Sequence, residues 1–167
     1  MNPFKDRGRR FLAGAIGALT LGVAGAAYAT DEPFNITMTL YQAIVITETQ
    51  ALSFPNTTSG GAIAVTVAPA DGTAAIFTAT GEPSTGVTGS VVESSIVMQH
   101  STWSVADVTK EITVDTFTTG GNLSGAGAGT FDGTGNITDM RIGGTANVQA
   151  NDIAGAYSGS ATFRLVY

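Results

Sequence analysis

The chain has 167 residues, a formal net charge of −6 and no cysteine, so disulfide bonding, thiol chemistry and thiolate-bound metals are all excluded. Only Lys110, Arg141 and Arg164 of its seven cationic residues lie beyond residue 29, and only Asp6 of its thirteen acidic residues lies before it. The remainder is more acidic than the whole, which argues against nucleic acid and anionic lipid as partners.

Residues 1–29 read as a signal peptide. Lys5, Arg7, Arg9 and Arg10 form a basic start, Phe11 to Gly25 an apolar run, and Ala27-Tyr28-Ala29 a cleavage signal. The apolar run is too short for an ordinary membrane span, and no later run is long and apolar enough to make one. Arg9-Arg10-Phe11-Leu12 is similar to a twin-arginine signal without its spacer residue, which points to the general secretory route.

Residues 30–42 read as an N-terminal extension and 43–167 as one domain. In the extension, Phe34, Ile36, Met38 and Leu40 alternate with Asn35, Thr37 and Thr39, the period of a strand with one buried face. The phase breaks at Leu40-Tyr41, and in the strand expected at 43–49 Ala43-Ile44-Val45-Ile46 is apolar on both faces. Further strands are expected at 62–67, 74–80, 87–92, 95–99, 111–117, 137–142, 145–149 and 156–166. Turn-forming clusters separate them, among them Pro55 to Gly61, Ala70-Asp71-Gly72 and Gly143-Gly144. The glycine-rich segment 120–136 is expected to be a long surface loop. The C-terminal strand is the cleanest in the chain: Tyr157, Gly159, Ala161, Phe163, Leu165 and Tyr167 share one face. Short strands at this spacing predict an all-β fold, a single immunoglobulin-like or pilin-like antiparallel β-sandwich with an N-terminal strand extension.

Catalytic parts are missing. The single histidine, His100, has no identifiable orienting acid. The carboxylates are scattered singly, which does not suit a paired acid and base. Asp132, Asn136 and Asp139 offer oxygens in a glycine-rich loop, but their spacing fits no calcium motif. Trp103 could serve as a sugar platform or as packing. The expectation is therefore a non-enzyme with no cofactor and no metal.

Four stretches carry a family resemblance: IVITETQALSFPNTTSGG from Ile44, AAIFTATGEP from Ala74, ITVDTFTT from Ile112, and IGGTANVQANDIAGAYSGSATFRLVY from Ile142. They resemble a bacterial secreted family, the domain of unknown function 4402, over most of the chain beyond the signal. Pro55 stands where that family usually has glycine. The resemblance implies an exported β-sandwich and no active residue. At the level of architecture, the layout is also similar to pilin subunits assembled by donor-strand exchange, which polymerise by β-augmentation.

Two readings stay open. In one, the chain is a subunit of a fimbrial filament at the cell surface, reached through the periplasm. Phe34, Ile36, Met38 and Leu40 would be the donor face, Tyr41 and Gln42 the hinge, and Tyr157, Phe163, Leu165 and Tyr167 part of the C-terminal strand. Its partners would be neighbouring copies, with a periplasmic chaperone and an outer-membrane assembly protein. In the other reading the chain is a monomeric binding module for carbohydrate or a surface partner. Within the first, 34–46 can equally be one self-paired strand that changes sheet at Tyr41.

Overall fold

The structure, a computed structural model, describes residues 30–105 and 107–167. The expected signal peptide, residues 1–29, lies outside the described residues. The chain divides into two units after Met38. Of the first, the described part is 30–38, which is extended and contains no strand. The second, Thr39–Tyr167, contains all the regular structure among the described residues.

Ten strands form it: β1 (Val45–Gln50), β2 (Ile63–Val67), β3 (Ala75–Thr80), β4 (Gly86–Val91), β5 (Ser95–His100), β6 (Glu111–Gly121), β7 (Ala128–Thr130), β8 (Asn136–Val148), β9 (Tyr157–Ser158) and β10 (Phe163–Val166). Among the described residues the one helical turn, Val108–Lys110, is a single 3-10 turn. All ten pair antiparallel in two sheets. The larger runs β1-β3-β8-β6-β5-β9, with β2 also on β8; the smaller runs β10-β4-β7. The architecture is an antiparallel β-sandwich.

The long strand β8 organises the larger sheet. Its first half pairs with β3 and its second half with β2, while β6 pairs along its other edge from Met140 to Asn147. Both β6 and β8 reset their phase at a bulge. In β8 the bulge falls at Asp139 (φ 52°), so that Ile137 and Met140, three residues apart, both point inward. In β6 it falls at Thr116 (φ 52°), bringing Phe117 onto the face already used by Ile112 and Val114.

The expectation of separate strands at 137–142 and 145–149 is corrected: they are one strand, running straight through Gly143-Gly144. These glycines make room rather than a turn. A Cβ on Gly143 would stand 2.3 Å from the Val67 carbonyl oxygen, where the chain leaving β2 crosses over β8. The expectation of a surface loop at 120–136 is corrected too. That segment contains β7, and its Leu123 and Phe131 are buried in the main core. Finally, the strand expected at 34–40 is not formed: residues 30–44 have no strand pairing, so the self-paired alternative is not what the structure contains.

There are two apolar clusters. The first lies between the sheets: Ala79, Ile137 and Met140 from the larger meet Val87 and Leu165 from the smaller, with Leu123 and Phe131. Met140 is 0% exposed and central to it. The second cluster is Ile112, Val114, Ala146 and Val148, flanked by Val65, Ile96, Met98 and Phe117, all from the larger sheet. The other side chains packed on it are Phe54, from the stretch after β1, and Tyr157, from the edge strand β9 of the same sheet. The sandwich is thus closed at one end and only thinly covered at the other.

Candidate interaction groove beside the C-terminal strand

The thin cover comes from the path of the C-terminal strand. Its first part, β9, pairs with β5 of the larger sheet; its last part, β10, pairs with β4 of the smaller. Residues 159–162 cross between the sheets without pairing as strand. Gly159 permits the crossing, since a Cβ there would lie 3.0 Å from the Val97 carbonyl oxygen of β5. The crossing is held at Thr162: its amide donates to the Glu93 carboxylate at 2.8 Å, and its carbonyl accepts from the Val92 amide at 2.9 Å. The bond from Thr162 keeps the Glu93 carboxyl below its usual range.

Beside this crossing run two cavities. One, of about 250 Å³, is lined by Phe77, Val91, Ile96, Phe117, Ala161 and Phe163, among others. The other, of about 470 Å³, is lined by Val65, Ile112, Val148, Ile153 and Tyr157, among others. Leu52, Phe54 and Met98 line both, so the two are halves of one groove, apolar in the smaller half and on the sheet side of the larger, where Asn56, Thr57, Thr58 and Ser59 add a polar wall. At the end of the smaller sheet, β10 has β4 as its strand neighbour and an open backbone edge. An apolar groove next to an unpaired edge can take an extended segment, which would satisfy both at once.

The expected site residues separate into three groups. Phe34, Ile36, Met38 and Leu40 are exposed, at 79%, 80%, 79% and 78%. No strand orders them, but their alternation leaves one wholly apolar edge on an extended backbone. Tyr41 and Gln42 are tethered rather than free. The Tyr167 hydroxyl donates to the Gln42 carbonyl, the Gln42 amide donates to Glu82 at 3.1 Å, and the Tyr41 and Tyr167 rings lie 5.0 Å apart. In the C-terminal strand, Leu165 is buried and Tyr157 and Phe163 are half-buried, while Tyr167 is exposed and acts through its hydroxyl. Phe163 stacks on Phe77 at 4.7 Å.

The remaining candidates are spent on local structure. The Asp132 carboxylate accepts from the amides of Thr134 and Asn136 and from the Thr134 hydroxyl, and these bonds lower its pKa. Asp139 pairs with Arg141 at 2.6 Å. Among the described residues, no three His, Cys, Asp or Glu side chains come together to hold a metal. His100 is buried at the end of β5, and its Nδ1 accepts from the Thr102 amide at 3.0 Å. That geometry puts the proton of the neutral ring on Nε2, which faces Gly155 without a polar partner. The Trp103 indole donates to Glu111 at 2.7 Å.

Sequence reasoning overlooked Leu52 and Phe54. They continue the alternation of β1 beyond its last paired residue, and Pro55 ends it. The signal was there, in the Leu-Ser-Phe motif, but it entered only as part of the family resemblance and was assigned no strand.

Neither the curated proteins nor the solved structures contain a match to this chain. The family model described as "Domain of unknown function (DUF4402)" matches residues 36–167. The matched range takes in Ile36, Met38 and Leu40, the whole sandwich and the closing C-terminal strand, and on that evidence the chain belongs to the DUF4402 family.

Proposed function

We propose that this protein is an exported, non-enzymatic subunit of a surface filament, polymerising when the N-terminal segment of one copy inserts into the groove of the next. The observation that carries this reading is the row Phe34, Ile36, Met38 and Leu40, each about four-fifths exposed on an unpaired segment. Four large apolar side chains left in water are costly to keep. Burying them in a neighbour contributes ~8 kcal/mol gross, before ordering costs.

The thinly covered end of the sandwich supports the same reading. It supplies an apolar groove, and the open edge of β10 supplies backbone partners. Insertion of that kind is head-to-tail, so repetition gives an open fibre rather than a closed ring. With no disulfide in the chain, the fibre would hold through backbone pairing and burial alone. Before assembly the groove needs protection, which is the role of the periplasmic chaperone and outer-membrane assembly protein that this reading adds. The monomeric binding module draws less support. The Trp103 indole N–H is occupied by Glu111, and Leu123 and Phe131 of segment 120–136 are core residues.

The test compares residues 30–167 with a chain beginning at Gln42, by light scattering and negative-stain microscopy. Filaments or oligomers should form only with the extension and be blocked by Ile36→Asp with Met38→Asp. A chain that stays monomeric at high concentration, with or without residues 30–41, overturns the proposal.

A further inference from the structure

We infer that Leu52 and Phe54 are an internal place-holder, filling the middle of the groove in the unassembled chain and vacating it when the strand of a second copy inserts. This inference rests on the filament reading above and adds its regulation.

Three observations carry it. First, Leu52 and Phe54 border both cavities, so they stand where the two halves of the groove would otherwise be continuous. A strand bringing in four apolar side chains needs that continuity; two cavities divided by a plug do not provide it. Second, the plug imitates an inserted strand. Gln50, Leu52 and Phe54 are half-buried while Ala51 and Ser53 are exposed, the alternation of an extended segment laid on an apolar floor. Yet 51–58 has no strand pairing. Its ties are few: the Ser53 amide donates to the Thr73 carbonyl at 2.9 Å, and the Gln50 side chain donates to the Gly72 and Ala74 carbonyls. Third, the chain has slack where the plug must move. Residues 55–62, between the plug and β2, are all exposed and unpaired as strand, and nothing lies within 4 Å of where a Cβ on Gly60 or Gly61 would stand. None of them belongs to either apolar cluster, so this stretch can move while Ile63 and Ala64 stay paired with β8.

The arrangement resolves a conflict. A groove left empty would expose Met98, Ile112 and Val114, an association hazard in the single chain. A groove filled permanently could accept no neighbour. Two apolar side chains on a loosely held segment cover the floor and still yield to four.

The experiment uses the chain carrying Ile36→Asp and Met38→Asp, which cannot donate its own strand, and a fluorescent peptide of residues 30–41 as probe. Ser53→Cys with Thr73→Cys adds a lock that joins the plug to the β3 side; the natural chain has no cysteine to interfere. Uptake of the peptide should be slow in the oxidised form and recover on reduction. With the vacated groove populated at ~10%, Phe54→Ser should raise apparent peptide affinity about tenfold. Equal uptake by oxidised and reduced forms, or weaker binding by Phe54→Ser, overturns the place-holder and leaves Phe54 as part of the groove floor. If no form takes up the peptide, the filament reading itself falls, and the place-holder with it.

Discussion

The Tyr167 hydroxyl joins the two ends of the sandwich: it donates to the Gln42 carbonyl at 2.5 Å and accepts from the Glu82 amide at 2.8 Å. The last side chain of the chain thereby sets the point from which the N-terminal extension departs. Tyr167→Phe keeps the ring against Tyr41 and Phe131 and deletes both bonds. It should lower stability by about 1–2 kcal/mol in a denaturant titration and speed hydrogen exchange at the Glu82 amide. The fold should persist, since none of these groups belongs to a strand ladder.

Met140 has the opposite character. It is fully buried where the two sheets meet. Met140→Ala should cost about 2–5 kcal/mol, read as a lower denaturant midpoint with unchanged slope.

Gly127 precedes β7 with φ 82°, and a Cβ there would stand 2.1 Å from the Gly89 carbonyl oxygen of β4. Backbone on both sides leaves nothing to yield. Gly127→Ala should therefore detach β7 from β4, seen as loss of amide protection at Gly89, whose N–H donates to the Gly127 carbonyl at 2.8 Å. A destabilisation of about 3 kcal/mol is expected.

Acid should weaken the fold in a defined window. The carboxyls of Glu93, Asp107 and Asp132 are all held below their usual range, first by the Thr162 amide, the Lys110 side chain and the Asn136 amide respectively. Each favours the ionised form more in the folded state. Their contribution is present above the ordinary carboxylate pKa, near 4, and is lost as pH falls through the lowered values. Melting temperature should be level from neutral pH to about pH 4 and decline below it. Glu93→Gln should make that decline shallower and loosen the crossing at Thr162.

Much of this was legible in the sequence, and the misses have physical reasons. Alternation located every strand but β7, though it ran β9 and β10 together as one strand at 156–166, where the chain changes sheet across the unpaired residues 159–162. It failed at Gly143-Gly144, where glycine serves a close backbone crossing and not a reversal. It failed at 120–136, where Leu123 and Phe131 are single large side chains in a glycine background, too sparse to show a period. The apolar face of 34–40 was evident, but a period says only that a face wants burial. The groove was not legible either, because it is assembled from β2, β5, β6 and the 159–162 crossing, distant in sequence. Leu52 and Phe54 were hidden because only two apolar residues alternate between the end of β1 and Pro55, too few to show a period.

The half-covered sheet has a thermodynamic consequence. A sandwich closed by its own strands has a melting point that belongs to the chain. Under the proposed insertion, the last increment of burial comes from the neighbour's strand, so stability becomes a function of how many neighbours are present. An occupant at a hundred times its dissociation constant adds about 2.7 kcal/mol to the folded state. The same subunit should then melt at different temperatures when dilute and when surrounded by its own kind, and robustness becomes a property of the population.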